Sequence, residues 1–137
     1  MLPMKAKDLA TPAKRVEFLY SDFTIGDAVK KMERCHYSMI PVIERNSARY
    51  LYSVSSGDIL HRLVTCDDLK VTLKEPLSTI RIERLTPSCN EDIEVNELFE
   101  LAVNQNYIPL VDNNGTFRGI LTRRAILTYL MPSKEGE

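Results

Sequence analysis

The sequence predicts an α/β fold of two β-α-β-β-α repeats packed against each other with pseudo-twofold symmetry. Three observations carry that prediction. The 137-residue chain is internally duplicated. Its apolar residues switch between helical and strand spacing. The second copy holds Asp112-Asn113-Asn114-Gly115 between two apolar runs, a turn that tolerates the positive φ of a hairpin.

The duplication aligns "SDFTIGDAVKKM…YSMIPVIERN…YLYSVSSGDILHRL" with "EDIEVNELFELA…NYIPLVDNNG…FRGILTRRAIL". Ile40-Pro41-Val42 matches Ile108-Pro109-Leu110, Ser55 matches Thr122, and Ile59-Leu60 matches Ile126-Leu127. In the first repeat Ile25, Ala28, Val29 and Met32 recur at helical spacing, as Val95, Leu98, Phe99 and Ala102 do in the second. Asp27 and Glu97 stand in the first turns of these helices, where the helix dipole favours an acid. Strands follow at Met39 to Ile43 and Tyr107 to Val111, then at Arg49 to Val54 and Phe117 to Leu121. Ser55 or Ser56, and Thr122, cap the closing helices. One more strand is expected before each repeat, at Val16 to Leu19 and within Ile82 to Cys89, where Pro87 interrupts the pattern. Neither repeat alone covers both faces of so short a sheet, hence the expected pairing.

Composition narrows the function. Hydrophobic residues make up 44% and charged residues 27%, as in an ordinary globular protein. The net charge of −1 argues against a dedicated nucleic-acid or membrane-surface binder, so any cationic site is local. Cys35, Cys66 and Cys89 are odd in number and form no CxxC, which reads as reduced thiols. The start, MLPMKAKDL, is too charged for a secretion signal, and no apolar run reaches about 18 residues. A cytoplasmic chain is expected. His36 and His61 have no second ligand at metal spacing. There is no GxGxxG, Walker A loop or GxSxG. Asp58 and His61 share a helix face near Ser55, but nothing marks an oxyanion hole, so no catalytic or metal site is expected.

The "h-P-h" strands and the strand-to-helix turns resemble the tandem CBS domain, or Bateman module, over about residues 5–131. The family's turn reads G-h-h-[ST]-x-x-D. The first copy, Tyr52 to Asp58, keeps the hydroxyl and the acid but has Tyr52 in place of Gly. The second, Gly119 to Ala125, keeps Gly and Thr but has Ala125 in place of Asp. The resemblance implies one repeat over 5–66, a linker over 67–80, a second repeat over 81–131 and a tail over 132–137. It implies adenine nucleotides as ligands, in clefts that mix the start and "h-P-h" strand of one repeat with the turn of the other. One cleft would draw on Arg15, Val16, Glu17, Tyr37, Ser38, Met39, Thr122, Arg123 and Arg124. A second would use Ser55, Asp58 and Tyr107.

The chain further resembles the stand-alone CBS-pair receptors for cyclic di-AMP of Gram-positive bacteria, which are of similar size and end the second repeat with "TRR". That likeness implies a non-enzymatic sensor with cyclic di-AMP as ligand and no separate cofactor. It also implies a homodimer and a partner such as the (p)ppGpp synthetase-hydrolase. The residues suit this ligand. Arg123 and Arg124 begin a helix, where free amides and the dipole also favour an anion. Arginine grips phosphate in two-point fashion, and Arg15 with Lys14 would meet a second phosphate. Ala125 removes a carboxylate that would repel it. Tyr37 offers a face for adenine. The alternatives are an AMP or ATP sensor using Asp58, and a ligand-free interaction scaffold. In the plainer reading Arg123 and Arg124 are solvated, Tyr37 is half-buried core, and Asp58 only favours its helix start.

Overall fold

The computed structural model describes residues 4–35 and 37–132. His36 and most of the expected tail lie outside the described residues. The chain divides into two compact units. One spans Glu17–Thr86; the other joins the residues up to Val16 to those from Pro87 onward.

The first unit carries a three-stranded sheet. β2 (Leu19–Tyr20) runs parallel to β3 (Met39–Ile43), which pairs antiparallel with β4 (Tyr50–Ser55). The Ile40-Pro41-Val42 run is fully buried, so the central strand tolerates proline with its side chains inside. Helix α2 (Ile25–Cys35) starts from a reciprocal cap. The Asp27 amide donates to Thr24 Oγ1 at 3.1 Å, and the Thr24 amide donates to Asp27 Oδ2 at 3.0 Å. Its apolar stripe of Ile25, Ala28 and Met32 meets Ile40, Val42, Val54 and Ile59, the last from α3 (Ser56–Thr65).

The segment 67–80, expected as a linker, is part of this unit's core. Asp68 caps α4 (Leu69–Leu73) by accepting from the Val71 amide, and Leu77 is completely buried. The Leu77 amide donates to Phe23 O at 2.8 Å, and the Ile25 amide donates to Glu75 O at 2.9 Å.

The other unit carries a four-stranded sheet in the order β1-β7-β6-β5: β1 (Thr11–Pro12), β5 (Cys89–Asn90), β6 (Tyr107–Val111) and β7 (Phe117–Thr122). Its core gathers Ala6 from α1 (Ala6–Leu9), Val95, Leu98, Ala102 of α5 (Phe99–Asn104), Ile108, Leu110, Leu121 and Ile126 of α6 (Arg123–Leu130). Residues 4–15 thus pack into the core and sheet of this unit. The Ala6 amide donates to Ile93 O at 2.7 Å, and the Val95 amide donates to Met4 O at 2.8 Å. β1 pairs with β7 at Thr11–Ile120 and Pro12–Gly119. Gly119 has φ +154, and a Cβ there would lie 2.3 Å from Thr11 O. Glycine is required at this crossing. The expected hairpin turn forms, with Gly115 at φ 81 and its amide donating to Asp112 O.

Three expectations need correction. The strand placed at Val16 to Leu19 is shorter and later. Ala13–Arg15 form a 3-10 turn that Val16 closes, its amide donating to Ala13 O, so pairing starts at Leu19. The helix expected from Val95 to Ala102 begins instead as a 3-10 turn over Val95–Leu98. Glu94 supplies no side-chain cap and Leu98 sits at φ −106, ψ −2, so the regular helix starts only at Phe99. The strand sought within Ile82 to Cys89 forms at Cys89–Asn90, past Pro87.

Candidate functional site

Thr122 and Ser55 both end a strand and begin a helix. Each sits in extended backbone, φ near −90 and ψ near 155, with its hydroxyl accepting from the amide three residues on. Ser55 Oγ takes the Asp58 amide at 3.0 Å, and Thr122 Oγ1 takes the Ala125 amide at 3.1 Å. In each unit the first residue of the "h-P-h" strand pairs with this cap: Met39 with Ser55, and Tyr107 with Thr122. Tyr107 is buried there, in the unit that does not hold Ser55 and Asp58.

The two turns then diverge. At the first, the Ser55 amide donates back to Asp58 Oδ2 at 3.1 Å, which closes a capping box. Asp58 therefore serves its own helix start, as the plainer reading holds, with one carboxylate oxygen outside that bond. Around it His61, Arg81 and Glu83 line a small cavity of about 130 Å³. At the second turn the box cannot form, because Ala125 has no acceptor.

The two arginines there have different fates. The Arg123 guanidinium reaches back to the end of α5: Nε donates to Ala102 O at 2.9 Å and Nη2 to Val103 O at 3.0 Å. Arg124 is exposed and forms no ion pair or hydrogen bond with a described residue. Arg15 is exposed at the end of its 3-10 turn, in the same unit, and that turn packs beside β7. Val16 is buried. This unit thus offers Arg15, Thr122 and Arg124 as anion-binding groups, with Arg123 partly committed to carbonyls.

The other residues expected in that cleft belong to the first unit. Lys31 Nζ lies 2.9 Å from Glu17 Oε2, and this hydrogen-bonded cation holds the Glu17 carboxyl below the usual range. Tyr37 lines a groove of about 520 Å³ with Met32, Ile59, Leu60 and Leu63, between α2 and α3. Ser38 O accepts from the Ser56 amide at 2.8 Å. Met39 Sδ accepts from Thr86 Oγ1 at 3.6 Å. A matching apolar groove of about 240 Å³ lies between α5 and α6 of the other unit, with Arg123 at its edge.

The CBS domain family model matches residues 6–65 and 82–132. The chain belongs to the CBS-domain family. It carries two CBS repeats in a mixed α/β fold, the tandem arrangement of a Bateman module. The fold matches a structure of CbpB in complex with c-di-AMP at TM-score 0.82 and 18% identity, over 94% of this chain and 85% of that one. It matches a structure of CBSX2 in complex with AMP at TM-score 0.74 and 18% identity, over 92% and 95%. The SNF1-related protein kinase regulatory subunit gamma-1 of Arabidopsis thaliana is 26% identical over 98% of this chain. The chain spans about a third of that relative's length, 35%.

Sequence reasoning missed Arg81 beside Asp58 in the first CBS repeat. The pattern Ile80-Arg81-Ile82-Glu83 was the available signal: Ile80 is buried and Ile82 half-buried, so Arg81 and Glu83 fall together on the other side. It also missed the use of Arg123 in the second repeat. Among the described residues, no group of three or more His, Cys, Asp or Glu side chains is placed to hold a metal. None of their helices is long and apolar enough to cross a membrane.

Proposed function

We propose that this CBS pair is a nucleotide-responsive regulatory module whose Thr122–Arg124 turn takes a phosphate of cyclic di-AMP. One observation carries the reading. Arg124 stands exposed and unpaired at the start of α6, beside a capping hydroxyl, at the turn where Ala125 replaces the carboxylate of the other repeat. The amides of that first turn and the helix dipole add to its pull on an anion. Each charge-assisted hydrogen bond contributes about 1.5–3 kcal/mol. Four such bonds reach the micromolar range, about −8 kcal/mol, before ordering costs are subtracted. The fold likeness to CbpB, solved with c-di-AMP, supports this choice of ligand.

In this reading Arg15 and Val16, of the same unit, complete the phosphate's surroundings. The module acts in the cytoplasm as a homodimer, by binding and not by catalysis. Its ligand works through differential affinity for the partner-free and partner-bound states. The partner is a metabolic or signalling enzyme such as the (p)ppGpp synthetase-hydrolase. A second reading places AMP or ATP against Asp58, and the cavity that Asp58 shares with His61, Arg81 and Glu83 favours it.

Calorimetric titration with cyclic di-AMP, AMP and ATP decides between them. Micromolar cyclic di-AMP binding that falls about tenfold or more in Arg124→Ala supports the first reading. Undiminished binding in that variant removes the role given to the turn. AMP binding that Asp58→Asn abolishes supports the second. No heat and no thermal shift with any of the three leaves a protein-interaction scaffold.

A further inference from the structure

Arg123 occupies an unusual position. As the first residue of α6 it lies at the positive end of its own helix dipole, where a cation is disfavoured. It is held there by another helix. Ala102 O and Val103 O belong to the last turn of α5, whose carbonyls have no intrahelical donors, and the Arg123 fork supplies two. α5 is only six residues long and follows a 3-10 turn without a side-chain cap. Its other side-chain help at this end is Asn104 Nδ2, which donates to Glu100 O at 3.1 Å. So short a helix depends on such clips. Arg123 also stands at the rim of the groove formed by Phe99, Ala102, Ile126, Leu127 and Leu130. The other repeat has no counterpart: Ser56 takes the position of Arg123, and α2 runs eleven residues from its own capping box.

We infer that Arg123 is a switch that couples an anion at the α6 start to the α5–α6 groove. The inference rests on the ligand reading above. Two neutral carbonyls hold the guanidinium through charge–dipole contacts, whereas a phosphate offers a full charge in the two-point geometry that arginine prefers. An anion arriving at Thr122 and Arg124 draws Arg123 off α5. The last turn of α5 then loses both donors and loosens, and the groove it walls changes shape.

Hydrogen exchange of the full chain, with and without cyclic di-AMP, tests this. Amides 101–105 of wild type are expected to exchange about fivefold faster when cyclic di-AMP is bound, the size of losing a net hydrogen bond. Arg123→Gln without ligand is expected to show the same acceleration, with exchange elsewhere in the chain unchanged. If calorimetry shows cyclic di-AMP bound while these amides stay as slow or slow further, the switch is overturned and the ligand reading stands. If Arg123→Gln without ligand is as slow as wild type, the clip does not hold α5 and the switch is overturned. If cyclic di-AMP, AMP and ATP all fail to bind, the ligand reading falls and takes the switch with it.

Discussion

The turns at Ser55–Asp58 and Thr122–Ala125 begin from the same backbone and the same hydroxyl cap, and they do opposite things with the next three residues. The first spends its carboxylate on its own helix, through the bond from the Ser55 amide to Asp58. The second has no carboxylate and sets two arginines at the helix start, one clipped to α5 and one exposed. The same divergence appears one strand earlier. Gly119 is forced by β1 crossing β7. Among the described residues β4 pairs with β3 alone, so Tyr52 fits in its place. A duplicated unit keeps its caps, because these are local. It changes the residues whose surroundings differ between the copies.

The largest test of that contrast is Gly119→Ala. A Cβ 2.3 Å from Thr11 O, at φ +154, forces β1 away. The variant should lose about 3 kcal/mol or more by chemical denaturation. A loss under about 1 kcal/mol would show that β1 yields easily and that glycine is not required there. Next comes an alkaline difference between the copies. Tyr50, at the position of Phe117, donates to Thr86 O at 2.7 Å, and burial pushes its hydroxyl up to about 12. A raised folded value means the stabilisation is complete below the ordinary tyrosine range and is lost as pH rises through about 12. The Tyr50 contribution should fall by roughly 2–3 kcal/mol across that interval, and Tyr50→Phe should remove it, leaving the part from Tyr52, which burial also raises, while Phe117 contributes none.

Smaller effects come from swapping the turns. Asp58→Ala should cost about 1 kcal/mol, as a cap loses its partner. The reverse exchange, Ala125→Asp, lets the Thr122 amide find an acceptor and should stabilise α6 by about 0.5 kcal/mol while weakening cyclic di-AMP. Melting curves and calorimetry on both variants read the two signs. An Ala125→Asp chain that binds cyclic di-AMP more tightly would invert the comparison. The smallest effect is acidic. Arg45, Lys31 and Lys7 hold the carboxyls of Asp22, Glu17 and Asp92 below their usual range by hydrogen bonding. Depressed folded values contribute stability at neutral pH that is lost as pH falls through them. Two of the pairs are exposed and the Lys31–Glu17 pair is half-buried, so the melting temperature should decline only slightly below the carboxylate range, and 1 M salt should erase most of the decline.

What the sequence made legible follows range. The strands at Ile40-Pro41-Val42 and Ile108-Pro109-Leu110, the caps Ser55 and Thr122, and the turn ending at Gly115 depend on neighbours a few residues away. The sequence states those neighbours directly. Leu77 in the segment between the repeats, the residues before Val16 packing with those after Pro87, and Tyr37 lining the α2–α3 groove depend on distant partners. Periodicity carries no information about those. The candidate site divides in the same way. Thr122 and Arg124 were visible from the repeat, whereas the hold of Arg123 on Ala102 and Val103 depends on where α5 stops. That end was invisible because Glu94 gives no cap and the helix starts late.

The pairing of Thr11 with Ile120 has a consequence for how the chain comes to exist. Its partners are separated by roughly a hundred residues, a long loop to close before the contact stabilises anything. On the ribosome the unit Glu17–Thr86 is finished while β7 is still unmade, and the leading segment has emerged with its strand edge open. The second sheet is completed last, from segments on either side of the first unit. Chain synthesis thus passes through a stage in which one repeat is whole and the other is a strand waiting for a partner, and that stage is where chaperones and stray β-edges compete for it.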